Sequence, residues 1–147
     1  MKKQKGLKNN FVLDYKESLE IIKKIKKHVL ERKEAGQIFG QEREKSLERI
    51  IKNIYQTFDK KELYFDIEDK ATNLLYLIIK DHPFVDGNKR IASFLFVYFL
   101  DKNNYLYRKN GEKKINDNTL TALALLVAES NPKEKDQMII LISRLLK

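Results

Sequence analysis

The stretch IEDKATNLLYLIIKDHPFVDGNKRIASFLFVYFLDK, residues 67–102, decides how this chain folds. It reads as two helices with one interruption. Ala71, Leu74, Leu75 and Ile78 recur at helical spacing, which predicts a helix over 67–80. Pro83 prevents smooth continuation of that helix. Gly87 permits unusual backbone angles and a close approach of a ligand to the main chain. A second helix is predicted over 88–102. Its run Ile91–Leu100 is apolar nearly all round, so it is expected to be the buried centre of the domain.

Upstream, Leu19, Ile22, Ile25 and Val29 alternate with Lys23, Lys24, Lys26 and Lys27, predicting an amphipathic helix over 15–34 that stops near Gly36. Leu47, Ile50, Ile51, Ile54 and Phe58 predict another over 41–57, and 56–66 reads as a loop or short extended segment. Downstream, Asn110-Gly111 between two short segments suits a hairpin turn, because Asn-Gly tolerates positive φ. Asp117 or Asn118 caps a helix over 119–130. Asn131, Pro132 and Glu134 form a start signal for a last helix ending near 146. The expected fold is all-α: a compact bundle of six or seven helices around a buried central helix, with one or two small β-hairpins. Residues 1–14 read as a basic lead-in, expected to be disordered, and 15–147 as a single domain.

Composition narrows the chemistry. The chain of 147 residues has no cysteine, which excludes disulfides, a thiolate nucleophile and cysteine-held metals. It has two histidines, His28 and His82, too few for a three-histidine metal site. No apolar run approaches the ~20 residues that cross a bilayer, and no signal peptide is recognised, so a soluble cytoplasmic protein without a membrane partner is expected. The net charge of +9 is uneven: residues 1–33 hold 11 basic and 4 acidic side chains, the remainder 19 and 17. Such a basic segment can contact nucleic acid, but 24 of the 30 cations are Lys, and specific phosphate and base readers lean on Arg. Compositional bias is the favoured explanation.

The interruption itself, His82-Pro83-Phe84-Val85-Asp86-Gly87-Asn88-Lys89-Arg90, carries the chemistry. The first N–H groups of the helix opening at Asn88 are free and form an anion pocket. Lys89 and Arg90 in that first turn are unfavourable beside a positive helix end unless an anion balances them. Asp86, beside a phosphate pocket, is placed to hold Mg²⁺. His82 can accept a proton from an attacking hydroxyl near neutral pH. Taken singly, His82 would be a helix C-cap, Asp86 a turn residue, and Lys89 and Arg90 solvated charges. Their coincidence between two apolar helices favours a site, because a structural turn needs no pair of cations. General base, metal carboxylate and phosphate clamp are the parts that phosphoryl or nucleotidyl transfer requires.

These nine residues resemble the active-site signature of the Fic/Doc family, His-x-Phe-x-Asp/Glu-Gly-Asn-Gly/Lys-Arg, with every specified position filled. The resemblance covers about residues 40–147 and is closest to Doc-type domains, including those of virulence-associated bacterial proteins. It implies His82 as general base, Phe84 as core anchor, and Asp86 as Mg²⁺ ligand. It also implies Gly87, Asn88 and Lys89 as the anion hole for ATP or another nucleotide, with Arg90 as clamp on its outer phosphates.

Nucleotide-transferring Fic enzymes have Gly where Lys89 stands and a second Arg where Ser93 stands; Doc toxins share the Lys and lack that Arg. The resemblance therefore implies Doc-like phosphotransfer to a Ser or Thr of a target protein, with elongation factor Tu as the family's precedent. Gly87 is Fic-like, and the alternative is a nucleotidyltransferase that attaches AMP to Ser, Thr or Tyr. A further alternative is a non-enzymatic basic binding module. The family's self-inhibitory pattern, Ser/Thr-x-x-x-Glu-Gly/Asn, finds no match, which implies restraint by an antitoxin-like partner or another domain.

Overall fold

A computed structural model describes residues 11–147. Among these residues the chain forms six α-helices: α1 (Tyr15–Glu31), α2 (Ser46–Ile54), α3 (Ile67–Asp81), α4 (Asn88–Lys102), α5 (Asp117–Glu129) and α6 (Lys135–Leu145). A two-stranded antiparallel hairpin, β1 (Thr57–Phe58) and β2 (Lys61–Glu62), lies between α2 and α3. The architecture is the expected all-α bundle.

Local chemistry explains most boundaries. Asp14, Asp66 and Asn116 are N-caps, Asn116 in place of the expected Asp117 or Asn118, and each accepts a backbone N–H of its helix's first turn through its side chain. At the start signal read from the sequence, Asn131 and Glu134 form a reciprocal capping box around a short 3₁₀ turn, Pro132–Glu134, that leads into α6. The turn at Asn110-Gly111 forms, with a single bridge, Tyr107 to Lys113.

α3 and α4 share the most extensive helix contact and form the core. The all-round burial expected of α4 is found instead in α3, whose residues 70–76 are all buried because α2, α4, α5 and α6 all pack on it. α4 buries Ile91, Leu95, Phe96 and Phe99 but leaves Phe94 at 47% exposure, since fewer elements surround it.

The burial of α3 includes Lys70, fully inaccessible to solvent. Its ammonium is satisfied by Glu62 at 2.8 Å and the Tyr64 and Phe65 carbonyls at 2.6 and 3.1 Å. A buried cation is tolerated only when so paired, and this one ties the segment after β2 to α3.

Further expectations are corrected. α1 ends at Glu31, before Gly36, through Arg32 and a left-handed Lys33. α2 begins at Ser46 rather than near 41, because residues 40–43 pair with the loop after α3. The lead-in is packed from Phe11 onward: the Phe11 ring meets Tyr98 edge-on, and Leu13 is buried with its N–H donating to the Tyr55 hydroxyl at 2.8 Å. The rest of the lead-in falls outside the described residues.

Candidate active site at the junction of α3 and α4

α3 ends on His82, which adopts the left-handed conformation at φ 50° and donates its N–H to the Ile78 carbonyl. Pro83 then turns the chain, and Phe84 is wholly buried. Truncating such a phenylalanine costs about 3–5 kcal/mol, so Phe84 anchors the loop as the sequence implied. His82, Val85, Asp86, Lys89 and Arg90 remain exposed.

Two devices hold this loop. The first is Asn88. Its buried side chain accepts the Phe84 N–H at 2.9 Å and donates to the Phe84 carbonyl at 2.8 Å. Asn88 therefore staples the loop with its side chain, leaving only its backbone for an anion. The second is the segment 39–43, which lies alongside the loop. Gly40 N–H donates to the Asp86 carbonyl at 3.0 Å, Val85 N–H to Gln41 at 2.8 Å, and Arg43 N–H to Pro83 at 2.8 Å. Nothing in the periodicity of residues 36–45 announces this pairing, because its partner lies about 40 residues or more along the chain.

Gly87 is required for two reasons. Its φ is 91°, which side-chain-bearing residues rarely adopt, and a Cβ there would lie 2.5 Å from the Phe39 ring. Gly87 is also the N-cap of α4 and supplies no side-chain cap. The first N–H groups of α4 thus keep their capacity for an anion.

They open into a cavity of about 450 Å³, within the range of small-molecule sites. Asp86, Gly87, Asn88, Lys89 and Arg90 form one wall, with Ser93 one turn further along α4. Thr121, Ala124 and Leu125 of α5 contribute another side. The structure therefore brings Asp86 and the four predicted anion-binding residues together; His82 stands on the same loop, outside this lining.

Sequence reasoning missed Glu34, which lines the cavity and pairs with Arg90 at 3.0 Å. Partial desolvation opposes ionisation of Glu34, but the guanidinium groups of Arg32 and Arg90 outweigh it and hold its carboxyl below the usual range. No local sequence signal could have found this contact.

Among the described residues there is no cluster of three or more acidic or histidine side chains able to cage a metal. Asp86 is instead an exposed carboxylate beside two cations and a helix N-terminus, and the other carboxylate of the cavity, Glu34, is paired with Arg90. That donor set fits Mg²⁺ as phosphates present it, with one or two carboxylates and retained waters. It does not fit a metal held by protein alone. Among the described residues no helix is long and apolar enough to cross a membrane.

A helix start with free N–H groups, an adjoining carboxylate and an exposed histidine thus lie on one loop of a helical bundle. The sequence pattern of the Fic/DOC family matches residues 16–100, more than half of the chain and the whole of this loop. The chain belongs to the Fic/Doc family. The family in general comprises transferases that modify proteins with ATP and Mg²⁺. No curated protein and no solved structure matches the chain.

Proposed function

We propose that this protein is a Doc-like kinase that transfers the γ-phosphoryl group of ATP to a Ser or Thr hydroxyl of a target protein. The observation that carries the reading is the presence of Lys89 and Ser93 on one wall of one cavity with Arg90. Lys89 adds bulk and charge where nucleotide-transferring Fic enzymes have Gly. Ser93 offers no bidentate clamp where they have Arg. Together they favour a nucleotide whose γ-phosphate is presented toward the loop.

In this reading His82 accepts the proton of the target hydroxyl as its oxygen attacks the γ-phosphorus. The bond between that phosphorus and the β–γ bridging oxygen breaks, and ADP leaves with the electron pair. The N–H groups at the start of α4, with Lys89 and Arg90, neutralise the phosphates, and the apolar surface of Ala124 and Leu125 faces the rest of the nucleotide. Asp86 would hold the Mg²⁺ that accompanies the nucleotide, which would supply further charge neutralisation. Elongation factor Tu is the first target to test, by family precedent.

Incubation with γ-labelled or α-labelled ATP, Mg²⁺ and a bacterial lysate tests the reading. Label from the γ position alone should reach protein. Transfer of the α label would replace phosphotransfer with nucleotidyl transfer, for which the Fic-like Gly87 speaks. Purified elongation factor Tu, followed by intact mass, should gain one phosphate.

A further inference from the structure

The segment 39–43 supports the loop that carries His82 and Asp86, yet it belongs to no helix. At one end, Phe39 packs its ring beneath Gly87. The other end adjoins His82 and is held through Glu42, which sits opposite Phe84 in an antiparallel bridge. One oxygen of its carboxylate accepts the Tyr15 hydroxyl at the start of α1, and the other accepts the Leu47 N–H in the first turn of α2 at 2.8 Å. α2 has no side-chain cap of its own; Lys45 stands there in the left-handed conformation. One partly buried carboxylate thus joins α1, α2 and the backbone of the motif loop.

The consequence for the site is directional. Beside Glu42, the Arg43 N–H holds the Pro83 carbonyl, next to His82, and Gln41 receives the Val85 N–H. α3 fixes the backbone of His82 on one side through Ile78, and the 41–43 segment fixes the residues that follow it, Pro83 and Val85. Lys89 and Arg90 are held differently, by an α4 whose Ile91, Ala92 and Leu95 are wholly buried. Loss of the Glu42 anchor should release the loop while leaving the cationic wall in place. We infer that Glu42 is a positioning residue that sets the His82–Asp86 loop in register for transfer. Tyr15 is its partner. Burial, reinforced by the Glu42 carboxylate, raises its hydroxyl to about 12, so it remains a donor at neutral pH.

This inference rests on the phosphotransfer reading for its kinetic consequence but not for its structural one, and the experiment separates the two. Three variants of the full chain are compared with wild type: Glu42→Ala, Glu42→Gln and Tyr15→Phe. The glutamine can accept the Leu47 N–H through its oxygen and donate to the Tyr15 oxygen through its amide nitrogen, so it should rescue. Amide hydrogen exchange at Arg43 and Val85 should quicken about tenfold or more in Glu42→Ala, less in Tyr15→Phe, and little in Glu42→Gln. Exchange within α4 should stay level. On the purified target, kcat should fall about ten- to hundredfold in Glu42→Ala, as small misplacements of reacting groups do. The affinity for ADP without metal should stay within about twofold. Unchanged exchange at Arg43 and Val85 in Glu42→Ala overturns the inference, whether or not the wild-type protein transfers phosphate. Should Glu42→Ala fail to fold, Tyr15→Phe takes its place, and unchanged exchange there overturns the inference equally. Faster exchange with an undiminished kcat in an active protein overturns the positioning role. A wild-type protein that transfers nothing defeats the phosphotransfer reading alone.

Discussion

Glu34 and Arg90, 56 residues apart in the chain, meet at 3.0 Å in the wall of the cavity at the start of α4. The clamp that the motif offers to a phosphate is thus engaged by a carboxylate of the same chain. Both side chains are substantially exposed, so the pair is a weak one that a polyphosphate can displace. In the proposed function a nucleotide entering the cavity should compete with Glu34 for Arg90.

Replacing Glu34 by Gln should raise the affinity for ADP about two- to fivefold, the span expected from an exposed ion pair. Calorimetric titration of both proteins checks this. Because the carboxyl is held below its usual range, it stays charged around neutral pH. The pair is intact above that lowered pKa and is lost as pH falls through it. The difference between the two proteins should therefore be flat from about pH 6 to 8 and close only in acid. Equal affinities at neutral pH would show that Glu34 does not compete.

His82 and Asp86 should separate cleanly by assay. His82→Ala should reduce transfer at least ~10²-fold with ADP affinity nearly unchanged, because the imidazole stands outside the lining of the cavity and acts on the target hydroxyl. Asp86→Ala should instead abolish the gain in nucleotide affinity that Mg²⁺ confers. Near-normal transfer by His82→Ala would remove it from the role of base.

The identity of the transferred group turns on two neighbours of Arg90. The double variant Lys89→Gly, Ser93→Arg should lose phosphotransfer and acquire some nucleotidyl transfer. Ser93 already lines the cavity, so an arginine there can reach the phosphates. The effect should be modest, since each charge-assisted contact contributes roughly 1.5–3 kcal/mol. Intact mass of the modified target reads the outcome, and unaltered phosphate transfer would show that these two positions do not set the nucleotide's orientation.

Gly87→Ala tests the architecture rather than the chemistry. The left-handed φ and the Phe39 ring 2.5 Å from the added Cβ both oppose it. A strained backbone of this kind costs about 1–3 kcal/mol, a fall in melting temperature of roughly 3–12 °C for a domain of this size. Thermal denaturation measures it. A second substitution, Phe39→Ala, should remove the steric part of the penalty but not the conformational part.

Much of the fold is legible in the sequence because its signals are local. α4 spans the 88–102 predicted from Gly87 and the apolar run, and the start signal at Asn131, Pro132 and Glu134 opens the last helical segment. Caps and periodicity act over three or four residues, a range that sequence displays directly. The start of α2 is not legible, because residues 41–45, helical by composition, are held near the motif loop by hydrogen bonds to residues far along the chain. Lys70 carries the charge of a surface residue and lies in the core, since its partners at 62, 64 and 65 are arranged only when β2 and the turn into α3 form.

The sequence by itself determined the chemical inventory: one histidine, one carboxylate and two cations compressed into nine residues between two apolar helices. Their spacing alone places a helix start beside a carboxylate. Only the tertiary structure decided what surrounds them. It set Glu34 on Arg90, Phe39 beneath Gly87, the wall of α5 across the cavity and Glu42 at the junction of α1, α2 and the loop. The physical reason is range. Capping, helix periodicity and proline geometry are settled within a turn of chain. Ion pairs, ring contacts and carboxylate anchors depend on surfaces that meet only after the core has packed.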